Sequence, residues 1–267
     1  MSLNPLLPFL MAGDPSLEAL PGLLSAAKAL GLEAIELGLP HSDPIADGPV
    51  LQAAAHRAIA RGATPLRVLE SLAGLTDSPD IILFTYLNPL FQIGVERLKA
   101  LLLPTPVKAL LVVDLPFGEE PGFESELHSA GYPMVPLLAP TTSLNRASRI
   151  LTERPDPGPS APFAQRFAYV VARLGVTGTG QDTDLGPVSR RVAELKARSE
   201  RPLAVGFGLS DPRSLASIRG LGATPVIGSA LVQELSDGRS LRETLAPRML
   251  GGAQSPAQSV RILKPHS

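Results

Sequence analysis

Three carboxylates, Glu36, Asp43 and Asp47, stand close together in the stretch E-L-G-L-P-H-S-D-P-I-A-D-G-P from Glu36 to Pro49. The first falls within an apolar, strand-like run, and the other two in the Pro/Gly-stiffened loop after it. Acids crowded at a strand's end suit acid/base chemistry, because one can stay protonated while its neighbour ionises. Asp43 precedes Pro44 and reads as a loop-shaping residue. Asp114, in L-V-V-D-L-P, closes a later strand, and Asp14, in Gly-Asp-Pro, reads as the end of a turn before the first helix.

A second group is rich in glycine. It comprises Gly175-Val176-Thr177-Gly178-Thr179-Gly180, then Gly206-Phe207-Gly208, then Gly228-Ser229 at the start of a helical pattern. Glycines let backbone N–H groups approach an anion, and a helix N-terminus adds its positive end. Three such turns following successive strands point to a phosphate on the substrate.

The elements that must position these groups alternate along the chain. Strand-like runs fall near 6–11, 33–38, 81–86, 108–114, 133–138, 167–172, 202–206 and 224–228. Helical patterns lie near 50–61, 65–74, 94–102, 119–130, 142–152, 185–199, 211–220 and 229–235. A first helix is marked by Leu17, Leu20, Leu24, Ala27 and Leu30, with Gly31 at its end. Eight such pairs predict a single-domain α/β fold over residues 1–250, a (β/α)8 or TIM barrel, followed by a mobile tail over 251–267. An open sheet with a small extra domain is the alternative. The Pro-rich segment Arg154–Gln165 reads as a non-helical connection. Alternation along Ala34–Gly38 turns bulky Ile35 and Leu37 outward and Ala34, Glu36 and Gly38 toward the barrel axis. A carboxylate buried there has its pKa raised, as a general acid requires.

Near-zero net charge (−1) with no basic run argues against nucleic acid or an anionic membrane as partner. With no Cys there is no disulfide and no thiolate nucleophile. The apolar start lacks a basic region and reads as a strand, so a soluble, cytoplasmic protein is expected. A Schiff-base route needs an inward Lys. Lys28, Lys99, Lys196 and Lys264 fall on helices or in the tail, and Lys108 opens the fourth strand on the opposite face of the barrel. A metal route needs a His cluster, yet only His41 of the four His lies near the acids. Carbon–carbon cleavage or isomerisation of a phosphorylated substrate then needs a leaving group that holds the electrons itself, as an indole protonated at C3 does.

The segment E-L-G-L-P-H-S-D-P-I-A-D-G-P-V-L-Q resembles the signature of the tryptophan synthase alpha chain family. P-F-L-M-A-G-D-P, L-V-V-D-L-P, G-V-T-G, V-G-F-G-L and I-G-S-A-L extend the likeness over nearly the whole barrel. The resemblance implies a lyase of tryptophan biosynthesis that cleaves indole-3-glycerol phosphate to indole and glyceraldehyde 3-phosphate. It implies no cofactor on this chain, with pyridoxal phosphate only on a beta-chain partner in an alpha2-beta2 heterotetramer. Glu36 becomes the general acid/base and Asp47 the partner of the indole N–H. Phe9 and Phe207 would flank the indole, with Tyr86 and Leu111 nearby and Tyr169 beside the glutamate. The phosphate would rest on Gly178, Gly208, Gly228 and Ser229, and Thr177 would belong to a closing loop. His41 replaces the family's usual Phe, and the short N-terminus leaves out a helix that often plugs the barrel. Rival readings are a non-catalytic barrel that binds and activates a beta chain, and a stand-alone indole-releasing lyase.

Overall fold

In the computed structural model, which describes residues 6–153, 158, 160–172, 185–206 and 211–249, parallel strands and helices alternate. The first half runs β1 (Leu7–Met11), α1 (Leu20–Ala29), β2 (Ala34–Gly38), α2 (Pro49–Ala60), α3 (Pro65–Leu72), β3 (Asp80–Thr85), α4 (Leu87–Ile93), α5 (Val95–Leu102) and β4 (Val107–Val112). The second runs α6 (Pro121–Ser129), β5 (Leu137–Leu138), α7 (Leu144–Glu153), α8 (Phe163–Arg166), β6 (Ala168–Val171), α9 (Gly186–Lys196), β7 (Leu203–Gly206), α10 (Pro212–Gly220), β8 (Thr224–Ile227), α11 (Ser229–Ser236) and α12 (Leu241–Met249).

The strand order β4-β3-β2-β1-β8-β7-β6-β5 is that of a (β/α)8 barrel opened between β4 and β5. A bridge from Leu110 to Met134 joins those two edges. Leu110 donates its N–H to Pro133 (3.1 Å), and Val135 donates to Leu110 (2.8 Å). The strand expected over 133–138 is therefore only two residues long with one bridge ahead of it. Pro133 and Pro136 offer no N–H, so a continuous ladder cannot form there.

Two layers of apolar side chains follow from strand alternation. Ile35, Leu37, Leu83, Leu110, Val170 and Val205 pack outward against the helices. Leu7, Phe9, Ile82, Ala109, Tyr169 and Val226 fill the interior. Burying the outer layer is worth roughly 1.5–3 kcal/mol per large side chain, which fixes strand register and hence which side chains point to the axis.

Several boundaries differ from the sequence expectation. α1 begins at Leu20, because Leu17 only closes a turn through its carbonyl to the Leu20 N–H. It ends as expected before Gly31, whose φ of 79° takes the left-handed conformation that stops a helix. α4 and α12 were not expected. α4 is short and ends at Gly94 (φ 81°), and α12 contains Pro247, which masks the pattern. The connection over Arg154–Gln165 is not wholly non-helical, since its last residues enter α8. α8 leads directly into β6 and so closes the N-terminal end of the barrel. Phe167 is fully buried in the interior layer beside Ala164, with the Phe163 ring stacked on it at 4.9 Å. The Gln165 amide donates to the carbonyls of Lys108 (3.2 Å) and Gly131 (3.1 Å), tying α8 to the bases of neighbouring elements. Residues 251–267, expected as a tail, lie outside the described residues. Among the described residues, no helix is long and apolar enough to cross a membrane.

Candidate active site

Glu36 is the third residue of β2, in register with Phe9 of β1 and Ile82 of β3. Ala34 joins the interior layer while Ile35 and Leu37 join the outer one, so the expected inward parity holds. Glu36 is 1% exposed, and its Oε1 has no hydrogen-bond partner among the described residues. Desolvation raises its pKa to about 8, because a charge in this low-dielectric interior is costly.

Asp47 ends the loop after β2, immediately before the Gly48 cap of α2. The Asp47 N–H donates to Pro44 (3.0 Å), and the Ile45 N–H to the Asp43 carbonyl (3.0 Å). Gln52, in the first turns of α2, reaches back with its amide to the carbonyls of Asp47 (2.9 Å) and Pro44 (3.4 Å). Sequence reasoning missed that role, although Gln52 closes the recognised motif. Asp47 is buried (3% exposed), and its Oδ1 has no partner among the described residues. Burial raises its pKa to about 6, and a hydrogen bond from Tyr86 holds it from rising further.

Tyr86 caps the junction of β3 and α4. Its hydroxyl accepts the Ala46 N–H at 3.0 Å and donates to the Asp47 carboxyl. It was expected beside a ligand ring, and it also grips the loop. Tyr169 lies on the interior face of β6, with its hydroxyl against Gly206, where no Cβ would fit. Burial first, then the Glu36 and Asp47 charges, drive the Tyr169 pKa well up, so it stays a neutral donor.

The apolar wall is built from neighbouring strands. The Phe9 ring meets Phe84 edge-on at 5.2 Å, and it lies over Gly38, where a Cβ would collide with it. Leu111, fully buried on β4, is in register with Phe84. Gly228 caps α11 just behind Phe9, and Ser229 is the first residue of that helix. A separate cavity of about 380 Å³ opens where β4 and β5 diverge, lined by Val113, Val135 and Leu137 and, toward α7, by Met134, Arg146 and Ile150. Neither the residues of the apolar wall nor Glu36 and Asp47 line it.

Glu36, Asp47, Phe9, Tyr86, Leu111, Tyr169, Gly228 and Ser229 thus gather on the interior and the C-terminal rim of one barrel. Thr177, Gly178, Phe207 and Gly208 lie outside the described residues. Two secondary readings need revision. Asp114 is exposed beyond the end of β4, where it accepts the Leu87 N–H (2.8 Å) at the start of α4. Asp14 does more than close a turn. Its carboxylate binds Arg57 of α2 (2.6 Å) and Arg61, which caps the end of that helix (3.2 Å), fastening the β1 loop to the helix that carries Gln52.

Fold and site together define a (β/α)8-barrel protein with a pair of buried, elevated carboxylates at the C-terminal mouth of the barrel. The profile of the family described as tryptophan synthase alpha chain matches residues 2–259. The chain belongs to that family. The tryptophan synthase alpha chain of Prochlorococcus marinus (strain MIT 9313) is 42% identical over 234 residues, covering 86% of this chain and 81% of that one. The corresponding chain of Gloeobacter violaceus is 40% identical over 233 residues, with 86% and 80% covered. Among solved structures, a chain from the structure of the tryptophan synthase α2β2 complex of Pyrococcus furiosus superposes with a TM-score of 0.77 at 30% identity, covering 94% of this chain and 97% of that one. Tryptophan synthase of Mycobacterium tuberculosis gives 0.78 at 26% identity, with 92% and 91% covered.

Proposed function

We propose that this chain is a carbon–carbon lyase that cleaves indole-3-glycerol phosphate to indole and glyceraldehyde 3-phosphate in tryptophan biosynthesis. The observation that carries this reading is the separation of two buried carboxylates, Glu36 at about 8 and Asp47 at about 6. Near neutral pH the first is mostly protonated and the second mostly ionised, so acid and anion coexist in one pocket.

Protonated Glu36 donates to C3 of the indole, leaving positive charge on the ring, and Asp47 accepts the hydrogen bond of the ring N–H. The Glu36 carboxylate so formed takes the proton of the hydroxyl on the attached carbon. The bond from that carbon to C3 then breaks, its electrons restore the indole, and the carbon leaves as an aldehyde. Atoms and charges balance with no external oxidant or reductant. Phe9, Leu111 and Phe207 would enclose the ring.

The phosphate end fits the strand order. Glu36 on β2, Phe9 on β1 and Gly228 after β8 lie on successive strands. Two inter-strand spacings amount to roughly 10 Å, the reach of a three-carbon phosphomonoester between an acid and a helix N-terminus. Gly228 and Ser229 at the start of α11 would bind it with Gly178 and Gly208, and Thr177 would close over it. The chain would carry no cofactor, act in the cytoplasm, and pair with a beta chain that holds pyridoxal phosphate in an alpha2-beta2 assembly. The α2β2 complex of the Pyrococcus relative supports that pairing.

The test is indole release from indole-3-glycerol phosphate by the purified chain, with and without a beta chain. Slow release alone and faster release with the partner is expected. Equal release in both would make it a stand-alone lyase, and none in either would overturn the enzyme reading.

A further inference from the structure

The loop that carries Asp47 also carries His41, whose ring stacks on Tyr86 with centroids 4.9 Å apart and planes at 29°. His41 is half-buried. Tyr86 is anchored at the start of α4, outside the loop, yet its hydroxyl meets two loop groups, the Ala46 N–H and the Asp47 carboxyl. The loop therefore grips one tyrosine twice, by the ring face at residue 41 and by the hydroxyl at residues 46 and 47. We propose that His41 is a positioning residue whose ring clamps Tyr86 so that its hydroxyl keeps donating to Asp47.

The stack holds the tilt of the Tyr86 ring, since stacked rings prefer one relative orientation. Without it the hydroxyl can swing from Asp47 while the backbone at residue 86 stays in place. The ionised Asp47 then loses its donor, and its titration moves upward. The other titratable groups facing this region are Glu36 on β2, Tyr169 on β6, Asp114 beyond β4 and Asp43 in the same loop. None lies between His41 and Tyr86. A phenylalanine at 41 would stack equally without ring nitrogens, which separates the packing of the ring from its polar atoms.

The proposal gives Asp47 its setting, and only its kinetic consequence rests on the proposed reaction. It is tested by the Asp47 titration read by NMR on protein labelled with ¹³C at aspartate carboxyls, the resonance assigned by its loss in Asp47→Asn. His41→Ala should raise that titration by about one pH unit, a tenfold change in the protonated-to-ionised ratio. His41→Phe should leave it in place. Tyr86→Phe should raise it, and His41→Ala added to Tyr86→Phe should add nothing. An unchanged titration in His41→Ala, an equal rise in His41→Phe, or additivity with Tyr86→Phe would each overturn the clamp. The acid limb of kcat/KM should follow the NMR titration. A shift in NMR without one in the rate profile supports the clamp and removes Asp47 from the chemistry.

Discussion

Replacing Glu36 by Gln should make the protein more stable at alkaline pH while it loses its turnover. Glu36 is 1% exposed and its carboxyl titrates at about 8 rather than near 4.5, with desolvation as the cause. Below the unfolded value, both states hold the proton and the group contributes no pH dependence. Between about 4.5 and 8 the folded protein retains a proton that the unfolded chain has shed, so stability falls as pH rises through this window. At about 1.4 kcal/mol per pH unit the whole window is worth roughly 5 kcal/mol. Between pH 6 and 9 it is worth about 3 kcal/mol.

The glutamine side chain has nearly the same shape and never ionises, so Glu36→Gln removes this slope. Asp47, raised from 3.8 to about 6, adds a decline at lower pH that both proteins share and that cancels in their difference. Urea unfolding at intervals from pH 6 to 9 reads the effect directly. Glu36→Gln should gain about 3 kcal/mol on the parent across that range, and its turnover should fall by about 10²–10⁴-fold. Stability curves that stay parallel would mean that Glu36 ionises without penalty, and the interior placement would then be the wrong account of its acidity. Retained turnover would make the residue structural.

Two further outcomes follow from the same geometry. Asp47→Asn should lower kcat by about 10²–10³-fold, the loss typical of a removed charge-stabilising group, with binding of glycerol 3-phosphate unchanged by calorimetry. Gly38→Ala should cost about 1–3 kcal/mol in urea unfolding by overpacking, because the added methyl meets the Phe9 ring, and it should raise KM; a neutral effect would show that the ring moves freely.

The barrel was legible in the sequence because strand alternation and helical spacing report burial, which dominates its stability. Ile35 and Leu37 against Ala34 and Glu36 sufficed to orient β2. The boundaries that escaped are those where proline decides. Pro133 and Pro136 cut β5 to two residues, and Pro247 hid α12. α8 escaped because a four-residue helix after a Pro-rich run has no periodicity to detect. Of the site, the charged members were legible and their supports were not. Arg57 and the His41–Tyr86 stack depend on contacts between residues far apart in sequence, such as the 43 positions from Asp14 to Arg57, and single-chain patterning carries no information about them. Gln52 reaches back only 5 and 8 positions, to Asp47 and Pro44, but a neutral amide at a helix start carries no pattern that marks the contact.

Those supports explain why two acids in one pocket differ in their acidity. Both are buried, and burial alone would raise both. Glu36, deep on β2, has desolvation as the cause of its shift and goes to about 8. Asp47 sits at the rim, where Tyr86 donates to it, and stops at about 6. Of the roughly two-unit gap, a hundredfold difference in proton affinity, about 0.7 is the ordinary difference between Glu at 4.5 and Asp at 3.8, and depth in the barrel and one hydroxyl set the rest. A substitution that moves that hydroxyl narrows the gap by raising Asp47 and leaves Glu36 where it is. The pH range in which acid and anion coexist then contracts from its acid side.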